Sequence, residues 1–141
     1  MSDDQAGAVL SGTCLCGAVS LHVQHPNPSL GVCHCGICRT WTGGPFMTLE
    51  SHQAPRIEGG EHVRTYASSD WAERGFCMRC GTHLFYRLRE GEFYALAAGL
   101  FEEGGQWPFE LQVFIDEKPE NYAFANVTRE MTGEEVFKAW S

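Results

Sequence analysis

The 141-residue sequence predicts an all-β domain with few and short helices, and three observations carry that expectation. Short apolar–polar alternations recur along the chain, each cut off by glycine or proline. One stretch alone, near the C-terminus, carries a helix-start signature. Seven cysteines fall in tight groups rather than singly. A chain of this length is one domain by the usual prior and is long enough to bury a real core.

Taken in order, residues 1–12 read as a loose lead-in with little to bury. After Cys14-Leu15-Cys16-Gly17, the residues Val19, Leu21 and Val23 alternate with Ser20, His22 and Gln24, the period of a half-buried strand. His25-Pro26-Asn27-Pro28 is a turn, and Leu30 to Val32 leads into a dense cysteine run. Trp41-Thr42-Gly43-Gly44-Pro45 marks a bend or a close backbone approach. Phe46 to Leu49 reads as a strand, Glu58-Gly59-Gly60-Glu61 as a turn and Val63 to Tyr66 as another strand. Glu73 to Phe76 delivers the chain to Cys77. Leu84, Tyr86 and Leu88 alternate with His83, Phe85 and Arg87, and the segments Phe93 to Leu100 and Leu111 to Ile115 complete the strands. The pattern changes at Thr132-Gly133-Glu134-Glu135, where Thr132 as N-cap and Glu135 three residues on form a capping box. A helix over about 132–140 would place Val136, Phe137 and Trp140 on one side.

Eighteen acidic against ten basic residues give a net charge of −8. That balance excludes a general nucleic-acid or anionic-membrane binder, whose affinity rests on a basic surface. The longest apolar run, around Tyr94 to Phe101, is far short of the ~20 residues that span a bilayer. The start, Met1-Ser2-Asp3-Asp4-Gln5, is acidic where a secretory signal is basic. Cytoplasmic placement is the expectation, and in a reducing compartment clustered cysteines point to metal rather than to disulfides.

Cys33-His34-Cys35-Gly36-Ile37-Cys38-Arg39 packs three thiols into six positions, too close for disulfide geometry but suited to a soft metal such as zinc. Cys14-x-Cys16-Gly17 and Cys77-x-x-Cys80-Gly81 look like two-ligand knuckles, each ending in glycine. Together the knuckles make a closed four-thiolate site, and Cys33, Cys35 and Cys38 a three-thiolate site with one position open to exchange. Spacing alone leaves another pairing open, with Cys33 and Cys35 joining Cys77 and Cys80, and also seven buried free thiols.

The chain resembles the glutathione-dependent formaldehyde-activating family, which includes centromere-protein-V-like proteins. The resemblance is carried by Gly12-Thr13-Cys14-Leu15-Cys16-Gly17-Ala18-Val19, by Cys33-His34-Cys35-x-x-Cys38-Arg39 with Thr42-Gly43, by Arg74-Gly75-Phe76-Cys77-x-x-Cys80-Gly81-Thr82-x-Leu84, and by Phe114-Ile115-Asp116-x-Lys118. It covers about Gly12 to Lys118, so the domain is expected to span residues 1–141 with its core at about 12–118. It implies an Mss4-like β fold with two zinc ions per chain: a structural one on Cys14, Cys16, Cys77 and Cys80, and a catalytic one on Cys33, Cys35 and Cys38. It also implies a carbon–sulfur lyase that joins glutathione to formaldehyde as S-hydroxymethylglutathione. The family often has His where this chain has Gln112, and a late aromatic, often Trp, where it has Tyr122; both changes bear on substrate identity.

Three thiolates around Zn²⁺ leave a formal charge of −1, which disfavours water activation and favours a substrate thiolate as the fourth ligand. A glutathione-like anion needs positive charge, for which Arg39 is the first choice among Arg39, Arg74, Arg79, Arg87 and Arg89. Gly43 and Gly44 are expected to offer N–H groups to a substrate carboxylate. His34 should point away from a metal that both neighbouring cysteines face. The competing reading is a zinc-stabilised binding module without catalysis.

Overall fold

The computed structural model describes residues 9–140, and side chains through Ala139. The lead-in expected over residues 1–8 and the side chain of Trp140 lie outside the described residues. Among the described residues, eleven strands form two sheets. The smaller, antiparallel sheet has the order β1-β2-β5, from β1 (Val9–Thr13), β2 (Ser20–Gln24) and β5 (Arg56–Glu58). The larger is built from β3 (Leu30–Cys33), β4 (Phe46–Ser51), β6 (Val63–Tyr66), β7 (Ala72–Cys77), β8 (His83–Leu88), β9 (Tyr94–Ala97), β10 (Phe109–Val113) and β11 (Arg129–Met131). Its order is β11-β10-β3-β4-β9-β8-β7-β6. Every pairing in it is antiparallel except those of β10, which runs parallel to both β3 and β11.

Strand alternation does the sorting. In β2, Leu21 and Val23 are buried while Ser20, His22 and Gln24 are not, and the same face carries Leu10 of β1. These side chains pack on Leu49 of β4, Phe85 of β8 and Leu96 of β9 to form the main core. The opposite face of the large sheet is lined by Gly31, Phe46, Thr48, Glu50, Ala95 and Tyr86. Register aligns four of its residues in one row across adjacent strands: Arg74 opposite Tyr86, Tyr86 opposite Ala95, Ala95 opposite Glu50. One sheet face therefore makes the core, and the other holds the site.

Two helices differ in how legible they are. The second, α2 (Gly133–Trp140), follows the capping box: Glu135 N–H donates to Thr132 Oγ1 at 3.2 Å and Thr132 N–H to Glu135 Oε1 at 2.8 Å. Val136 is buried and Phe137 packs edge-on against Trp71 and Phe114. The first, α1 (Gly36–Thr42), takes up the second half of the central cysteine run. Its N-cap is Cys35, whose Sγ accepts the Cys38 N–H at 3.3 Å, a task usually given to Ser, Thr, Asp or Asn. Gly43 ends it in the left-handed conformation, so the Gly43-Gly44 bend is a helix C-cap.

Two strand expectations also change. The lead-in ends sooner, because β1 begins at Val9 and buries Leu10 against β2. Strand β10 ends at Val113 rather than Ile115, since Phe114 takes a left-handed backbone and a short 3-10 turn over Ile115–Glu117 follows. No helix among the described residues is long and apolar enough to cross a membrane.

Candidate metal centres

The β1–β2 connection and the β7–β8 connection turn the same way. Gly17 N–H donates to Cys14 O and Gly81 N–H to Cys77 O, with both glycines at φ near +80°. That turn aims main-chain donors at sulfur: Val19 N–H reaches Cys14 Sγ at 3.4 Å, and Arg79 N–H reaches Cys77 Sγ at 3.4 Å. Hydrogen bonds of this kind stabilise a thiolate. Thr82 links the two knuckles, accepting Leu15 N–H at 3.2 Å and lying 3.1 Å from Cys80 Sγ. The Thr82 hydroxyl, with help from its backbone, lowers the Cys80 thiol to about 5.

The sulfurs of Cys14, Cys16, Cys77 and Cys80 all lie within 4.8 Å of one another, and none is bridged. Ligands at Zn–S of about 2.3 Å in a tetrahedron have sulfurs about 3.8 Å apart. Cys14 and Cys16 sulfurs are 3.7 Å apart, and Cys16 and Cys77 sulfurs 3.8 Å apart. These four residues could hold a metal ion, and the spacing suits zinc.

Cys33, Cys35 and Cys38 form a second group, likewise within 4.8 Å, that could hold an ion. Cys33 comes from the end of β3, Cys35 from the N-cap of α1 and Cys38 from its first turn. The Cys35 thiol is held well below the ordinary thiol range, because the Cys33 and Cys38 thiols donate to it, with the Cys38 N–H and the Arg74 charge assisting against burial. Cys33 is pushed up in turn, first by its hydrogen bond with Cys35. Three sulfurs this close hold fewer than three protons comfortably, a condition that a soft cation relieves.

The cation beside this group is Arg74, not Arg39. Arg74 is 3% exposed and lies between the rings of Trp41 and Tyr86, at 5.1 and 5.0 Å from their centroids. Its Nη1 donates to Cys38 Sγ at 3.4 Å and its Nε to Ser68 Oγ at 3.1 Å. It has no carboxylate partner among the described residues. A buried guanidinium needs an anion, and the sulfurs are what it meets. Arg39 instead donates through Nε to the His34 carbonyl at 2.9 Å. Arg39, Gly43 and Gly44 line a separate, more open cleft of about 600 Å³ with Pro45, Tyr122 and Phe124. The structure thus brings together the three cysteines and Arg74, and sets Arg39, Gly43 and Gly44 elsewhere.

His34 points away from the sulfurs. It is wholly buried, with Nδ1 2.8 Å from Tyr122 Oη and Nε2 2.8 Å from Gln112 Oε1. Gln112 Nε2 in turn donates to Thr128 Oγ1 at 3.0 Å. With the amide oxygen accepting from Nε2–H, the ring is neutral when Nδ1 accepts the tyrosine hydroxyl, and burial lowers its pKa accordingly. The two positions that depart from the family's usual His and Trp, Gln112 and Tyr122, therefore meet on one imidazole. No spacing rule joins residues 34, 112 and 122, so the sequence could flag each separately but not their contact.

Cys33, Cys35, Cys38 and Arg74 line a cavity of about 410 Å³ on the sheet face away from the core. Its floor is the strand row already described; its walls include Ile37 of α1, Ser68, Ser69 and Trp71 from the β6–β7 connection, and Val136 and Phe137 of α2. Sequence reasoning missed Glu50, Ser69 and Trp71, which reach the cavity only through long-range packing.

A family model described as glutathione-dependent formaldehyde-activating enzyme matches residues 9–117. A protein of Schizosaccharomyces pombe named an uncharacterised lyase is 43% identical over 129 residues, covering 91% of this chain and 94% of its own length. A Halomonas elongata protein, provisionally named a glutathione-dependent formaldehyde-activating enzyme, is 35% identical over 86 residues, 55% of each chain. The crystal structure of a Rhodobacter sphaeroides protein superposes with a TM-score of 0.58 at 25% identity, covering 71% of this chain and 99% of that one. With three quarters of its length matched, cysteine groups included, the chain belongs to the glutathione-dependent formaldehyde-activating enzyme family.

Proposed function

We propose that the protein is a zinc-dependent carbon–sulfur lyase of two zinc ions, one structural and one that addresses a thiol substrate. The reading rests on one observation above all: the three-sulfur group lines a cavity large enough for an organic ligand. Cys14, Cys16, Cys77 and Cys80 would hold the structural ion, closing it with four ligands. Cys33, Cys35 and Cys38 would hold the other, which when bound supplies a soft position that keeps a thiol ionised near neutral pH. The names of the family and of the Halomonas relative support glutathione as the thiol and formaldehyde as the small carbonyl partner.

The reaction adds the thiol across the carbonyl. A carbon–sulfur bond forms, the carbonyl becomes a hydroxyl, and the thiol proton ends on that oxygen; the reverse breaks the same bond. The chain's own residues prepare it. Arg74 balances the negative charge of the sulfurs and fixes Cys38. His34, held by Gln112 and Tyr122, turns the backbone so that the flanking Cys33 and Cys35 share the opposite side. Glu117 Oε1 accepts the Gly36 N–H at 2.9 Å and ties the start of α1 to the turn after β10.

Cobalt substitution tests this. With Co²⁺ in the three-cysteine site, glutathione should change the visible spectrum, and S-methylglutathione, which has no ionisable thiol, should change it far less. Equal responses, or none, would overturn sulfur ligation.

A further inference from the structure

The cavity beside Cys33, Cys35 and Cys38 is too large and too apolar for the substrates named by the family. Formaldehyde has two heavy atoms, whereas about 410 Å³ lies within the range of drug-sized ligand pockets. Glutathione is large enough, yet its two carboxylates would meet walls of Val32, Phe46, Trp71, Phe93, Leu111 and Phe137. Placing carboxylates there without partners is strongly unfavourable. The cation among the lining residues, Arg74, is already engaged with Cys38. The other charged residues at the walls, Glu50 and Glu117, are themselves acidic.

Glu50 sharpens the point. It closes the strand row that begins with Arg74, three strand spacings or roughly 14 Å away. Its carboxyl makes no hydrogen bond or close ion pair among the described residues, and burial raises its pKa against the opposing charges of His52 and Arg129. Ser69 Oγ, also at the cavity, is buried and unpartnered. Around the cavity, Ile37, Trp71 and Phe137 remain substantially exposed despite their size. Large apolar side chains left in water around an apolar cavity, with spare polar groups inside it, describe a binding site for an uncharged organic group.

We infer that the cavity takes the apolar arm of the substrate, an aromatic or branched aliphatic group on the carbon that bonds to sulfur, while the polar body of the thiol stays outside. The substrate class is then the adduct of a thiol with a bulky apolar aldehyde. Its cleavage breaks the carbon–sulfur bond, turns the adduct hydroxyl into the carbonyl and returns that proton to sulfur, with no oxidant required. The inference rests on the proposed thiol site but is read independently of it.

Calorimetry on the zinc-loaded protein decides it, with S-methyl-, S-benzyl- and S-(4-carboxybenzyl)glutathione as probes. S-benzylglutathione should bind at least about tenfold tighter than the methyl compound, the low end of what burying a phenylalanine-sized group gives. The carboxybenzyl compound should lose that gain, and Glu50→Gln should recover part of it. Ala95→Leu, which fills the cavity floor, should abolish the benzyl preference. Should that variant not fold, the wild-type series still decides. Equal affinity for methyl and benzyl, or undiminished affinity for carboxybenzyl, overturns the inference. If glutathione meanwhile shifts the cobalt spectrum, the thiol reading stands alone; a benzyl preference without that shift sinks the thiol reading and keeps the apolar site.

Discussion

The two cysteine groups use the same chemistry at opposite extremes of sequence separation. Cys14 and Cys16 lie sixty residues from Cys77 and Cys80, and their knuckles join the turn between β1 and β2 to the turn between β7 and β8. Cys33, Cys35 and Cys38 come from one strand end and the first turn of one helix. A metal ion held by the first group would clamp the small sheet to the large one. The second asks little of the fold and sits where a ligand can reach it. The difference teaches that the part of the chain a metal would close, more than the identity of its ligands, decides whether the ion would act as a staple or as an addressable position.

The sharpest way to break that comparison is to remove one ligand from each group. Cys77→Ala should abolish cooperative folding. A structural zinc site contributes on the order of 10–16 kcal/mol, comparable to the whole stability of a domain, about 5–15 kcal/mol. Cys38→Ala should leave a folded protein that has lost one of two metal ions. Thermal melts by circular dichroism and metal content per chain check both; a folded Cys77→Ala protein retaining two ions would contradict the assignment of the clamp.

Much of this contrast was legible in the sequence, because cysteine spacing is a local signal with few explanations. Spacing suggested the division into four and three without excluding another pairing, and the sulfurs gather in those two groups; the outward turn of His34 between two cysteines that share a side was readable too. The capping box at Thr132 was equally readable, since both its partners lie within one turn. Other features were hidden for physical reasons. Helix α1 has a thiol as its N-cap and only seven residues, too few for a period to show. Strands β5 and β11 have three residues each, too few for alternation. The parallel placement of β10 beside β3 depends on a crossover that no local pattern encodes. Arg74 was one arginine among several until Cys38, thirty-six positions away, was found beside it.

A smaller change sharpens the electrostatic side of the comparison. Arg74→Gln removes the guanidinium between Trp41 and Tyr86 and leaves the three sulfurs without their cation. Metal affinity at Cys33, Cys35 and Cys38 should fall about 10–100-fold, as for other residues that support metal ligands, while the four-cysteine group keeps its ion. Chelator competition resolves the two sites. Arg74→Lys, which keeps the charge but loses the planar fork, should recover part of the affinity; equal losses in both variants would mean that packing, not charge, sets the effect.

The smallest effect is expected at the cavity wall and tests whether the wall is separable from both clusters. Thr132→Ala removes the side-chain oxygen that accepts Glu135 N–H. Loss of such a cap costs about 0.5–2 kcal/mol. Here Asp116 Oδ1 still accepts the Gly133 N–H at 2.9 Å, so part of the helix end stays satisfied and the lower half of that range applies. The melting temperature should drop by no more than about 4 °C. Helix α2 carries Val136 and Phe137 to the cavity but contributes no cysteine, so both metal sites should keep their ions. S-benzylglutathione should bind a few-fold more weakly, because a frayed first turn leaves the wall at Val136 less often in place, while S-methylglutathione, which does not reach it, should bind unchanged. A loss of metal from either group in this variant would show that α2 supports the clusters as well as the wall, and the separation between staple and addressable site would have to be redrawn.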